Sequence, residues 1–559
     1  MVFSSPSRTV SPARERPEHH VVDTHSTATA AGYAPESRDY RGGPSPIGSR
    51  TRSRTDHTLV GWKTGDPENP HNWSTLKKSF ILFVGVLLLL NTAMSSSLPS
   101  MAIPNITAEF GISSSTAHVL PISVFLIGYI FGPLIWGPLS EHYGRRNLSV
   151  ITFAFFCLFT LGCALAPSWE SFLALRMLCG VASGAPITIV AGIISDLYDE
   201  HRTRGRAIAI FMCGTVWGPL LAPLVSGYTS TSIGWRWTFW VGLICGAVTL
   251  CPAIWLPETF GPVLLVRRAQ RMRKKQPGLR VVAPRELEDT SIKQLLSVVI
   301  MRPIRMFASE LIVTATSVYL ALVFAIFYMS FQAYPIIFRD LYGISPGNTG
   351  LTYLPVGLGS VLALCMFWFW DHYLERARRR GASWAKREEF CRLPLAVLGG
   401  PFLAISLFWL GLSSKASIPF FVPMLSGISF GMGHVLLFMS LLNYLTDSYE
   451  IFAASAHAAA SCCRSILAAV LPLATSHLFS QLGIAGACAL TGGLSAVMCV
   501  IPFIFIFKGP AIRARSKFCI ALREQKEEMQ RRLDAERAES GAEQRRDTDA
   551  KKVGEEEKS

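Results

Sequence analysis

Residues 137–147 read GPLSEHYGRRN, a short polar string between two long runs without charge, Phe110–Ser140 and Asn147–Trp169. Gly137 offers two helices a close approach. Glu141, near a helix end, can accept backbone N–H groups. Gly144 permits a tight turn. Arg145 and Arg146 place positive charge at the turn itself. A chain that crosses a bilayer and returns needs such a turn, with its bases on the cytosolic side.

Outward from the string the apolar runs repeat. Phe80–Ala108 precedes it, and Met177–Ser195, Ala207–Trp235 and Trp237–Pro257 follow. Beyond a polar stretch at roughly 258–307 come Leu311–Phe338, Leu341–Trp370, Leu393–Ser414, Ala416–Thr446, Ile451–Cys463 and Ser465–Phe507. Crossing the hydrocarbon core takes about 20 apolar residues. The last run is too long for one helix, so Arg464 joins the eleventh span and a break is expected at Leu482–Gly483. The expectation is an all-α membrane protein of twelve transmembrane helices in two six-helix bundles, 76–257 and 308–509, joined by a cytosolic loop at 258–307.

Composition agrees. Half of the 559 residues are apolar and 16% are charged, against about 25% charged in a soluble domain. The formal charge of +15 would suit nucleic acid, but the bases lie in blocks between apolar runs. Lys77 and Lys78 precede span 1, Arg202, Arg204 and Arg206 separate spans 4 and 5, and Arg376, Arg378, Arg379 and Arg380 separate spans 8 and 9. That is the loop pattern of a membrane protein, which sets nucleic acid aside and puts both termini in the cytosol. The link between spans 10 and 11 departs from it, with Asp447 and Glu450 and no base. The 13 cysteines read as small packing residues. No metal-ligand or nucleophile–base spacing stands out, and no G-x-x-x-x-G-K-[ST] string is present, so neither an enzyme nor an ATP-driven pump is expected. The tails, 1–75 and 510–559, are polar and are expected to be cytosolic, the first disordered and the second, from about 513, either disordered or a solvated helix.

Certain residues stand out inside the spans. Arg176 lies within an apolar helix, in LRMLCGVASGAP, with Gly180 and Gly184 continuing its face. A charge there faces a polar interior or snorkels to the interface. Asp196 ends span 4. In GTVWGPLLAPLVSGY, Gly214, Gly218, Ala222 and Ser226 form one small-residue stripe, beside Pro219, Pro223 and Gly227. Cavity candidates are Asn91 and Ser95 in span 1, Tyr129 in span 2, Gln332 and Tyr334 in span 7, and His434 and Asn443 in span 10. Asn105 begins an Asn-Ile-Thr sequon near span 1, a glycosylation candidate.

The string at 137–147 resembles the loop signature of the major facilitator superfamily, G-x-L-x-D-x-x-G-R-R, with Glu141 in the place of the usual Asp. Span 5 resembles the antiporter motif of its drug exporters, with Ala222 and Ser226 where other members have Gly. The segments GWRWTFW (234–240), LPETFGPVLLVRRAQRMRKK (256–275) and KGPAIRARSKF (508–518) are similar to the fungal branch of twelve-span drug:proton antiporters. The resemblance implies alternating access at a cavity between the halves, without a cofactor and driven by a proton gradient. It implies a proton-coupling role for Arg176. It also implies a latch between Asp196 and Arg145 or Arg146, and export of small amphipathic molecules by a monomer in the plasma membrane, the vacuolar membrane being the alternative.

No acid sits in the middle of spans 1, 2, 4, 5 or 11, which favours neutral or weakly charged substrates over polyamines. Proton-coupled uptake of a nutrient or polyamine, and a non-transporting sensor, remain alternative readings. Glu310, His434 and His457 are the candidate proton carriers. Arg464 is a second embedded base, open to pairing with Asp447, with Glu450 or with a substrate anion.

Overall fold

The computed structural model describes residues 58–534 apart from 64, 115–116, 277–280, 288–291, 529 and 532–533. The expected disorder of the N-terminal tail falls largely outside the described residues, and 517–528 of the C-terminal tail is helical, one of its two alternatives.

Proline and glycine punctuate the helices. In the first half, α1 spans Thr75–Ser97, α2 Ile103–Glu109, α3 Leu120–Tyr143, α4 Arg145–Leu165, α5 Trp169–Leu197, α6 His201–Ser232 and α7 Arg236–Ile254. The linker carries α8 (Gly261–Lys275) and α9 (Ile292–Ser309). The second half holds α10 (Leu311–Tyr334), α11 (Pro346–Leu351), α12 (Leu354–Arg379), α13 (Glu388–Ser413), α14 (Phe421–Tyr449), α15 (Ala453–Met498) and α16 (Val500–Arg515).

Eleven stretches among the described residues are long and apolar enough to cross a membrane. The last, Ala453–Arg515, has 63 residues. Gly483 breaks its helix at φ 66° and ψ 176°, where the length of the run required a break, and this makes the twelfth crossing. The run 80–108 is not one helix: α1 stops at Ser97 and α2 starts afresh at Ile103. Pro99 and Pro104 lack the donors that would continue the ladder.

The two halves repeat one packing scheme. In the first, α1 packs on α6, α3 on α5, and α4 on α5 and α7. In the second, α10 packs on α15, α12 on α14, and α13 on α14 and α15. Small residues make the closest crossings in both. A Cβ on Gly180 would strike the carbonyl of Phe125, and one on Gly431 the carbonyl of Val356. Backbone approach of this kind drives helix association in lipid, where apolar burial gives no advantage. Outward-facing Phe155, Ile244, Val248, Phe369, Ile405 and Phe503 are exposed, as a lipid-facing surface requires. The halves meet where α6 lies against α11 and α12, and α3 against α15.

The linker is folded rather than a plain loop. Strand β1 (Thr58–Leu59), ahead of α1, pairs in parallel with β2 (Val281–Val282), after α8. Val60, Leu265, Ala269, Val281 and Ala283 form a small core beneath. Arg268 bonds Asp66 at 2.5 Å, which straps the segment before α1 onto the linker. The acids Asp447, in the last turn of α14, and Glu450, just after it, find bases from elsewhere: Arg392 at 2.9 Å and Lys526 at 2.6 Å. Their lack of local bases is thereby explained.

Candidate functional site

The turn between α3 and α4 is built around Gly144, at φ 94° and ψ 160°. A side chain there would collide with the Glu258 carboxylate. Glu258 Oε1 accepts from the backbone N–H of Arg145 (2.8 Å), Thr259 (3.1 Å) and Phe260 (3.0 Å). It therefore neutralises the N-terminus of α4, where free N–H groups and the helix dipole favour an anion. Arg145 turns inward and is 7% exposed. Its Nε bonds Asp196 Oδ2 at 3.2 Å, its Nη1 bonds Ser140 Oγ, and its guanidinium lies 4.8 Å from the centre of the Phe260 ring. Thr259 Oγ1 donates to the same Asp196 oxygen at 3.4 Å. Gly192 makes room for all this, since a Cβ there would stand 2.6 Å from Arg145 Cζ.

Arg176 is fully buried. It does not snorkel. Nε donates to Pro121 O at 3.0 Å, Nη1 to Ser95 O at 2.9 Å and Nη2 to Ser96 O at 3.1 Å. Ser95 and Ser96 lie in the last turn of α1, whose carbonyls have no partner within the helix. The guanidinium caps them and faces the Phe125 ring at 4.6 Å. It thus ties α1, α3 and α5 together at one point, with no carboxylate pairing it among the described residues.

A cavity of about 40 Å³ lies between the halves, lined by Ser96, Tyr129, Thr215, Tyr328, His434 and Arg464 together with Met212, Phe324, Phe327 and Phe438. Tyr328 donates to Ser96 Oγ across the interface at 2.8 Å. The His434 ring packs against Phe438 at 4.7 Å and Phe327 at 4.9 Å, and its Nδ1 has no partner. Arg464 donates from Nη2 to Ser461 Oγ at 3.1 Å and lies 4.9 Å from the Phe324 ring.

Comparison with known proteins places this architecture. The model of the family described as "Major Facilitator Superfamily" matches residues 84–472. The chain belongs to the major facilitator superfamily. It is 36% identical over 470 residues to an MFS-type efflux pump of Trichophyton rubrum, covering 83% of this chain and 78% of that protein. It is 34% identical over 458 residues to polyamine transporter 3 of Saccharomyces cerevisiae, covering 81% and 72%. Among solved structures, the proton:xylose symporter XylE bound to 6-bromo-6-deoxy-D-glucose has the same fold, with a TM-score of 0.57 at 18% identity, covering 78% of this chain and 96% of that one. The chain is therefore a multi-pass membrane transporter of the superfamily, similar to fungal efflux pumps.

The other residues singled out in this major facilitator chain fall into place unevenly. Arg146 points away from Asp196, to Ile254 O at 3.1 Å. Glu141 is exposed and caps nothing; Glu258, 113 positions from the N–H it accepts at Arg145, does that work. Gly137 meets only the Thr188 methyl, at 3.4 Å, so the close crossing lies elsewhere on α3, at Gly128 and Gly132.

On α6, a Cβ on Gly218 would come within 2.7 Å of Leu90 O, so the stripe faces α1. Gly214 lies above Val86, and Pro219 O accepts from Ser97 Oγ at 2.8 Å. Gly227 looks the other way, onto Pro346 and Gly347 of the second half.

Of the cavity candidates, Tyr129 and His434 line the central cavity. Asn91 is committed to Thr249 Oγ1 at 2.6 Å. Tyr334 lines a smaller cavity of about 20 Å³ inside the second half. Gln332 and Asn443 are half-buried and line neither. Asn105 Nδ2 donates to Ser230 O at 2.7 Å, and Thr107 of its sequon is buried. Arg464 pairs with neither Asp447 nor Glu450, both of which have other partners. Tyr328, Thr215 and Glu258 carried no signal of their own in the sequence. Tyrosine and threonine in an apolar helix are ordinary, and the partners of Tyr328 and Glu258 are remote in sequence.

Proposed function

We propose that this protein is a proton-coupled exporter of small amphipathic organic molecules, working by alternating access at the central cavity as a monomer in the plasma membrane. The observation that carries the reading is the cavity itself. It lies between two repeated halves, with aromatic walls and a few polar atoms turned inward, the composition of a small-molecule site. The likeness to efflux pumps supports export. The basic loops put both termini, and the Arg145–Asp196 latch, on the cytosolic side. Transport rather than chemical catalysis is the whole activity, and the proton gradient serves in place of a cofactor.

Of the three proton-carrier candidates, His434 is the one in the cavity. Glu310 accepts from the Tyr449 hydroxyl at 3.0 Å, and His457 Nε2 bonds Thr446 Oγ1 at 2.7 Å. His434 Nδ1 has no such partner, and an imidazole nitrogen can take up or give a proton.

One relative is named a polyamine transporter. A polycation needs carboxylates, and the central cavity presents Arg464 instead, so the amphipathic reading stands ahead of it. The test is accumulation of a panel of fluorescent and fungicidal compounds in transporter-deficient yeast expressing the chain, with and without an uncoupler. Lower accumulation that the uncoupler reverses is the expected result. Higher accumulation, or none changed with the protein at the surface, overturns export.

A further inference from the structure

Two arginines are buried in the membrane region without a carboxylate partner among the described residues, and they differ in what they do. Arg176 spends its donors on three carbonyls from α1 and α3. Its place is structural: remove it and three helices lose a common tie. Arg464, 7% exposed, donates to Ser461 Oγ at 3.1 Å, its one hydrogen-bond partner among the described residues. That serine is three residues away on the same helix, so the bond ties nothing to anything else. Arg464 Nε is buried without a partner. The ring faces of Phe324 at 4.9 Å and Phe438 at 5.6 Å lie against it, and Tyr129, Tyr328 and His434 line the same cavity.

A guanidinium in a low-dielectric site is costly unless it is paired and fully hydrogen-bonded. Rings offset part of that cost but accept no N–H in the plane of the fork. The acids nearest in sequence do not relieve it, because Asp447 is held by Arg392 and Glu450 by Lys526. An open donor edge on a fixed cation, lining a cavity, is the complement of a carboxylate, whose two oxygens match the guanidinium fork. Beside it, Phe324, Phe327 and Phe438 form a wall for a flat apolar body, and His434 adds a second unpartnered nitrogen.

We infer that the central cavity takes an organic anion, a carboxylate on an aromatic or otherwise apolar body, and that Arg464 is the residue that holds the charged end. The inference rests on the central cavity being the transport site. It replaces the neutral or weakly charged substrate expected from the sequence with a charged one. Of the partners the sequence left open for Arg464, it selects the substrate anion over Asp447 and Glu450.

The test uses full-length protein purified in detergent and two probes of nearly the same shape, 2-naphthoate and 2-naphthamide. Binding is read by fluorescence titration at pH 7. Naphthoate should bind about tenfold tighter than naphthamide or better, as a charge-assisted pair is stronger than a neutral one. Arg464→Gln should remove the preference by weakening naphthoate binding far more than naphthamide binding, and Arg464→Lys, which keeps the charge but not the fork, should retain part of it. Equal binding of the two probes by the wild-type protein, or no binding of naphthoate, overturns the inference without any variant having to fold. A preference that survives in a folded Arg464→Gln protein overturns the role of Arg464. The yeast panel separates this from the transport reading. Uncoupler-sensitive export of neutral compounds with no binding of naphthoate sinks the anion site and leaves export standing. Naphthoate binding without export of any compound does the reverse.

Discussion

The Tyr328 hydroxyl donates to Ser96 Oγ at 2.8 Å, and the carbonyl of the same serine accepts Arg176 Nη2 at 3.1 Å. One residue at the end of α1 therefore joins the buried clamp of the first half to α10 of the second. Tyr328→Phe keeps the ring and removes the bond across the interface. The closed arrangement should lose about 1 kcal/mol, and the melting temperature of the purified protein should fall by a few degrees with expression unchanged. A melting temperature equal to wild type would mean that the bond does not hold the halves together.

Arg176→Ala leaves the Ser95 and Ser96 carbonyls at the end of α1 without their donor, each costing about 1–3 kcal/mol. Uncoupler-sensitive transport should be abolished, and thermal stability should fall while protein still reaches the surface. Arg176→Lys should recover little of either, because one compact ammonium cannot reach Pro121, Ser95 and Ser96 in the geometry of the fork. Wild-type flux in the alanine variant would remove the residue from the mechanism.

The latch can be tested by exchange of charge. The Arg145 and Asp196 side chains are only 9% and 15% exposed, and breaking a buried pair by one partner costs about 3–5 kcal/mol. Asp196→Arg alone should reduce transport to near background. Combining it with Arg145→Asp should restore a measurable fraction, whereas combining it with Arg146→Asp should restore none, since Arg146 reaches Ile254 instead. Rescue through Arg146, or through neither, would count against the pair described.

What the sequence made legible follows the range of each interaction. Gly483 could be placed as a break because a run too long for one helix had to end somewhere, and a residue free to adopt positive φ stood near its middle. Arg176 could be singled out because a charge inside an apolar run is costly wherever it lies. Its partners could not be read, since carbonyls carry no sequence signature. Glu258 was quoted only within a resembling string, although it organises the turn; its ligands at Arg145 are set by the return of α7 to the end of α3. The run 80–108 read as one span because apolar length says nothing of where prolines interrupt a ladder. The half-buried Gln332 and Asn443 show the limit of polarity as a guide, because it does not say which way a helix faces.

The strap before α1 has a pH dependence that can be signed. Burial pushes the Asp66 carboxyl up, but the Arg268 guanidinium and the Glu68 N–H outweigh it, and its pKa lies below the usual carboxylate value. A carboxylate of lowered pKa stabilises the fold above its unfolded value and loses that contribution as pH falls through the folded value. The strap should therefore be constant from about pH 5 to 8 and loosen only in stronger acid. Asp66→Asn should loosen it at neutral pH by about 1 kcal/mol, given the solvent around Arg268. Faster amide exchange at 58–62 would register this, and unchanged exchange would refute it.

The central cavity, at about 40 Å³, has room for about three or four water molecules at about 10–15 Å³ each. A cargo of drug size has no space in this arrangement and must displace whole helices to enter. On the proposed alternating-access reading, entry to the site depends on how far the hydrogen bond from Tyr328 and the glycine contact at Gly227 let the halves part. Bulk, before affinity, would then set the throughput of each passenger: slender molecules would cycle quickly, and broad ones would stall the machine and act as its inhibitors.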